Sequence, residues 1–115
     1  MQLAGPRVRT VAIDLPGIGG SGGEATNGSK RQLAGVVHAL IEKMGLGVVT
    51  LVGQDVGGMI AYSYLKPYDD VGRAVIMDVA GISRLEHALV PGAGHFTQEE
   101  APVETWRLIA GFIGP

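Results

Sequence analysis

The sequence predicts an α/β fold of about four mainly parallel strands flanked by three helices. Three observations carry this. Short apolar runs alternate with helical patterns along the chain, which is how βαβ units read. The strongest run, Val48 to Gln54 (VVTLVGQ), is β-branched and apolar on both faces, as a parallel strand covered by helices should be. Glycine-rich turns separate these segments: 19 of 115 residues are Gly, against a usual share of about 7%, and no three-residue period of the collagen kind runs through them.

In order, Val8 to Asp14 (VRTVAID) reads as the first strand, and Leu15 to Gly28 (LPGIGGSGGEATNG) is too rich in Gly to be other than a loop. Ser29 stands three residues before Gln32 in capping-box spacing. Leu33, Val37, Leu40, Ile41 and Met44 then follow at helical intervals, with Gly45 as a left-handed cap. Val48 to Gln54 is the second strand. Gly57 to Leu65 reads as a helix that starts at once and stops before Pro67, and Arg73 to Asp78 (RAVIMD) is a third strand. Ala88 to Val90 forms a short fourth. A last helix opens at Pro102, with Glu99 and Glu100 near its positive end and Val103, Trp106, Ile109, Ala110 and Ile113 as its apolar stripe. One connection is too short: parallel strands need a crossover of a dozen or more residues, and only Val79 to His87 lie between the third and fourth strands.

The length fits one domain, residues 1–115, and 46% hydrophobic residues supply a core. Nine Lys+Arg against eleven Asp+Glu give a net charge of −2, which offers no basic surface for a phosphate backbone, so nucleic acid is not an expected partner. With no Cys there is no disulfide framework or thiolate metal site. No apolar stretch approaches the ~20 residues that span a bilayer, and Met1 to Pro6 has no leader pattern, so a soluble cytoplasmic protein without membrane contact is expected.

Chemistry concentrates at Gly53-Gln54-Asp55-Val56-Gly57, which closes a strand and opens a helix. That is the setting of the nucleophile elbow G-x-S-x-G, with Asp in the Ser position. A side chain on so sharp a turn projects from the carboxyl edge of the sheet. The residues two before and two after it are expected to run so close to backbone that a Cβ would clash, hence Gly53 and Gly57. The following helix aims free N–H groups at the same spot, favouring a carboxylate. Asp55 also reads as a simple N-cap, since Asp is among the best N-cap residues. Against this stands the order Asp55, Asp78 at a strand end, then His95 in a glycine turn, which is the nucleophile–acid–histidine order of the elbow hydrolases.

These residues make the chain resemble the epoxide hydrolase and haloalkane dehalogenase branch of the α/β-hydrolase family. The matching segments are VAIDLPGIGGS (Val11 to Ser21), LVGQDVGGMIAYSY (Leu51 to Tyr64), GRAVIMD (Gly72 to Asp78) and VPGAGHFTQEEAP (Val90 to Pro102). The resemblance implies a truncated α/β-hydrolase core: residues 1–83 and 86–115 match regions that a lid separates in relatives, and the relatives' leading strands and HGxP-type loop have no counterpart. It implies Asp55 as nucleophile, His95 as the base that activates water, and the amide of Val56 as one oxyanion donor. Asp78 matches the acid of some dehalogenases, while many relatives carry the acid on a strand absent here, so orienting acid and plain strand-end residue both stay open. Gln54 stands where relatives often have His. Val56 stands where dehalogenases often have a halide-holding Trp, which argues against a dehalogenase. The expected substrate is a small molecule with an electrophilic carbon such as an epoxide, and no metal or organic cofactor is implied.

Tyr62, Tyr64 and Tyr68 are expected to pack or face solvent, His38 to be a solvated surface residue beside Glu42, and His87 to have no role. Two other readings compete. A non-catalytic remnant would keep the same pieces without turnover, and its uncovered apolar surface would favour self-association. Gly17 to Gly22 is a literal G-x-G-x-x-G after a strand, the mark of a dinucleotide-binding domain, but Gly23 to Gly28 intervene before the helix and Gln54 replaces the ribose-binding acid. A phosphate loop fits worse still, because Gly23 to Lys30 carries its Ser and Lys in reversed order.

Overall fold

A computed structural model describes residues 8–23, 29–79 and 92–113. The chain divides into two compact units, residues 12–79 and residues 1–11 with 80–115. In the first unit, α1 (Lys30–Met44) leads to β1 (Val49–Gln54), α2 (Val56–Tyr64) and β2 (Val71–Met77). In the second, a single turn α3 (Thr97–Glu100) precedes α4 (Pro102–Ile113).

Local sequence sets the ends of α1. The Ser29 hydroxyl accepts from the Gln32 amide at 3.4 Å, and Gly45 closes the helix at φ 63°, ψ 37°. β1 and β2 pair in parallel, Thr50 against Arg73 through Gln54 against Met77, with an irregularity after Val49 that leaves Gly72 as the extra residue. The link through α2 is long enough for a parallel pair, so β1–α2–β2 is a complete βαβ unit.

The core lies between the helices and one face of this sheet. Leu33, Ala34 and Ile41 of α1 pack with Ile60 and Tyr64 of α2, and Val49, Leu51 and Val71 close the cluster from the sheet. Residues alternate faces along a strand, so Val49, Leu51 and Gly53 turn inward while Thr50 and Val52 turn out. Val52 is 53% exposed. This corrects the expectation of a strand covered on both faces: α1 and α2 share one side, and nothing among the described residues of this unit buries the other.

Two further expectations change. Residues 8–14 form no strand, and Val8, Val11 and Ile13 are exposed. β-branched composition favours a pleated surface, but a strand exists only as part of a ladder, and these residues have no ladder partner among the described ones. The described sheet therefore has two strands rather than four. Ala88 to Val90, His87 and the short crossover beyond Val79 lie outside the described residues. In the second unit α4 opens at Pro102, where a missing N–H costs nothing. Thr105 is its buried residue and Val103 is exposed, so the expected stripe is only partly covered. Among the described residues no helix is long and apolar enough to cross a membrane.

The first unit is also tied by a polar cluster at the start of β2. Tyr64 is fully buried, and its hydroxyl donates to the Asp70 carboxylate at 2.8 Å while lying 2.9 Å from His38 Nδ1. His38 stacks on Tyr68 with ring centres 3.8 Å apart, lies 3.2 Å from Asp70 and reaches Glu42 at 3.4 Å. His38 is thus a partly buried bridge between α1 and the segment before β2, not a solvated surface residue. Its position opposite the Leu33–Ile41 stripe was readable, but not that the Tyr64–Asp70 segment would fold over it. Burial first, and the Asp70 hydrogen bond second, push the Tyr64 hydroxyl well above its ordinary pKa.

Candidate active site

Asp55 occupies the single residue between β1 and α2. Its backbone sits at φ 51°, ψ −116°, a conformation that L-residues avoid and that costs of order 1–3 kcal/mol. No side-chain capping hydrogen bond accompanies it. A preferred N-cap has extended backbone and spends its carboxylate on the helix, as Ser29 spends its hydroxyl on α1. Asp55 does neither: it holds the N-cap position of α2, where its carbonyl accepts from the Met59 amide at 3.0 Å, without capping through its side chain.

The glycines around Asp55 divide the work differently from the expectation. A Cβ on Gly53 would lie 2.8 Å from the Gly58 nitrogen and closer still to the Gly57 carbonyl, so the strand must be bare there for α2 to turn back over it. A Cβ on Gly57 meets nothing within 4 Å. The second close approach is at Gly58, where a Cβ would fall 2.7 Å from Val79 Cγ2 and 3.0 Å from Ile76 Cγ2. Gly58, not Gly57, lets α2 lie against β2.

Asp78 follows β2 as Asp55 follows β1. Gln54 pairs with Met77, and the Asp55 amide donates to the Met77 carbonyl at 3.0 Å, so the two carboxylates occupy adjoining strand ends on one edge of the sheet. They are also the two non-Gly residues with positive φ among those described, Asp78 at 57°. The Gln54 side-chain amide donates to Asp78 Oδ2 at 3.0 Å. In the sequence Gln54 stands out only as a departure from the His that relatives often carry. Its role as the partner of Asp78 depends on the register of β1 against β2, which no local pattern carries. Asp55, Val56 and Asp78 are all exposed.

The loop before α1 is held by Asp14. Its carboxylate accepts from the Gly20 amide at 2.9 Å, and its backbone carbonyl accepts from the Ser21 hydroxyl at 2.6 Å. The Gly20 amide is therefore spent within the loop, and α1 opens only at Lys30, well past Gly22, which is not how a dinucleotide fingerprint meets its helix. In the second unit, His95 is exposed and packs edge-on against Phe96, with ring centres 4.8 Å apart. The turn before it carries Gly92 at φ 77° and a Gly94 amide that donates to Glu100. Glu100, two residues before the start of α4, lies in α3 and braces this turn.

β1 thus leads through a strained acid into α2, with bare glycines where strand and helix touch. The sequence profile of the alpha/beta hydrolase fold matches residues 2–90, and the chain belongs to that family. No solved structure matches the chain.

Proposed function

We propose that this chain is a hydrolase acting through a covalent ester on Asp55, with epoxide-hydrolase-like chemistry. The observation that supports it best is the Asp55 backbone: an acid held in a costly conformation at the carboxyl edge of the sheet, its side chain not used for capping. A carboxylate nucleophile suits attack on a saturated carbon. Added to a carbonyl it would be expelled again, being a better leaving group than most alkoxides or amides, whereas displacement at an sp³ centre gives a stable ester. In the proposed cycle Asp55 Oδ attacks the less hindered epoxide carbon, the C–O bond breaks, and the ring oxygen leaves as an alkoxide that takes up a proton. His95 then removes a proton from water as its oxygen adds to the ester carbonyl; the tetrahedral intermediate collapses with cleavage of the acyl C–O bond, which restores the Asp55 carboxylate and releases the diol, whose oxygen takes the proton from His95. The Val56 amide donates to the oxyanion that develops at the ester carbonyl. Asp78, at the strand end beside Asp55, is held by the Gln54 side chain and is the candidate acid of the cycle.

A second reading, the same scaffold without turnover, is favoured by the exposure of Asp55, Val56 and Met59, which leaves the elbow open to water. Single-turnover hydrolysis of an aryl epoxide in ¹⁸O-water separates the two. The ester route places the first solvent oxygen in the Asp55 carboxylate, and Asp55→Ala abolishes turnover. Label found only in the diol of the first turnover removes Asp55 from the nucleophile role, and no turnover by the wild-type chain supports the second reading.

A further inference from the structure

We propose that the first unit carries a separate anion site that takes a phosphate monoester with an apolar body. A groove of about 380 Å³ lies between the first turn of α1 and the end of α2, lined by Arg31, Tyr62, Ser63, Lys66 and Pro67. None of these residues belongs to the strand-end turn that holds Asp55, so the site does not depend on the elbow chemistry.

Three features of the lining point to this ligand. First, its described lining presents two cations from two different elements and no carboxylate among the described residues, in a protein whose net charge is −2. Neither Arg31 nor Lys66 has an ion-pair partner among the described residues, in contrast to Arg107, which pairs with Glu104. Two like charges facing one concavity repel each other and concentrate anions there. Second, Arg31 offers a planar fork of donors, Lys66 a point charge and Ser63 a hydroxyl, a set matched to the several oxygens of a dianionic phosphate rather than to the two of a carboxylate. Third, the lining includes two apolar bodies, the Tyr62 side chain and Pro67, and Tyr62 is 44% exposed. A bare inorganic ion would leave them wet, whereas an organic substituent on the phosphate would cover them.

The test is titration of the full chain, followed by amide NMR shifts, with phenyl phosphate, inorganic phosphate and benzyl alcohol. Phenyl phosphate is expected to shift the amides of Arg31, Tyr62, Ser63 and Lys66, to bind several-fold more tightly than inorganic phosphate, and to weaken several-fold between about 0.02 M and about 0.2 M salt. Arg31→Gln and Lys66→Gln should each weaken it about 10-fold or more, while Lys43→Gln, which removes an equal charge at the far end of α1, leaves it unchanged. Three results would each overturn the proposal: no saturable shifts with phenyl phosphate at millimolar concentration, equal binding of benzyl alcohol or inorganic phosphate, or equal loss from Lys43→Gln. Because Arg31 and Lys66 are both exposed, the variants should keep the wild-type spectrum outside the groove, and agreement between the two guards against a fold defect in either one.

Discussion

Replacing Gly53 or Gly57 by Ala adds the same methyl group to the two glycines that flank Asp55, yet the two changes should have opposite signs. At Gly53 the new Cβ would lie 2.5 Å from the Gly57 carbonyl carbon and 2.8 Å from the Gly58 nitrogen. Both neighbours are backbone in the first turn of α2, so no side chain can swing aside. Restoring ordinary contact at 3.4 Å or more requires the start of α2 to move by close to an ångström, against the packing of Ile60 and Tyr64 in the core. Overpacking of this kind costs about 1–3 kcal/mol, and a backbone neighbour argues for the upper half of that range. At Gly57 the Cβ meets nothing within 4 Å and φ is not positive, so the gain is the helix propensity of Ala over Gly, about 0.5–1 kcal/mol. The two variants should therefore differ by about 2–4 kcal/mol, a gap on the order of 10 °C in melting temperature for a domain of this size. Urea denaturation and thermal melts read by circular dichroism measure both. Gly57→Ala as damaging as Gly53→Ala, or Gly53→Ala as stable as wild type, would refute the assignment of the close approach to Gly53.

Tyr64→Phe removes a hydroxyl that donates its one proton to the Asp70 carboxylate, whose oxygens lie at 2.8 and 3.0 Å, and should cost about 1.5–3 kcal/mol at neutral pH. Because the folded Tyr64 hydroxyl titrates above its ordinary value of about 10, its stabilisation is present below that pH and is lost as pH rises toward the folded value. Wild-type melting temperature should accordingly fall more steeply than that of Tyr64→Phe above about pH 10, and parallel curves would refute this linkage. Gly45→Ala places a side chain at φ 63° with open space around it, so its cost is purely conformational, about 1 kcal/mol by urea denaturation; no loss would mean that the cap is not left-handed in solution. With Val48 73% and Val52 53% exposed, the protein is expected to self-associate at micromolar concentration, and Val52→Thr should reduce the scattered-light mass. A monomer by light scattering that binds no apolar dye would refute it.

The sequence by itself determined what is local. Ser29, the apolar spacing to Ile41 and the glycine at 45 set α1 and both its ends, because caps and helical periodicity act within a few residues. The alternation of apolar strand and helix from Val48 to Met77 likewise determined the parallel βαβ unit, and Gly53 with Asp55 marked the tight strand-to-helix turn, since a turn that tight admits few residue types. Tertiary structure decided everything that needed a partner. Residues 8–14 have strand composition without a ladder. Gly58 rather than Gly57 is the helix–sheet contact, because that depends on where Val79 and Ile76 arrive. Gln54 reaches Asp78 only through the register of β1 on β2, and His38, placed on the polar side of α1 by periodicity, becomes a bridge because Tyr64 and Asp70 fold over it from a distant stretch of chain. Periodicity reports which face of an element is apolar; what covers the other face is a property of pairs of elements, fixed only when the chain closes on itself.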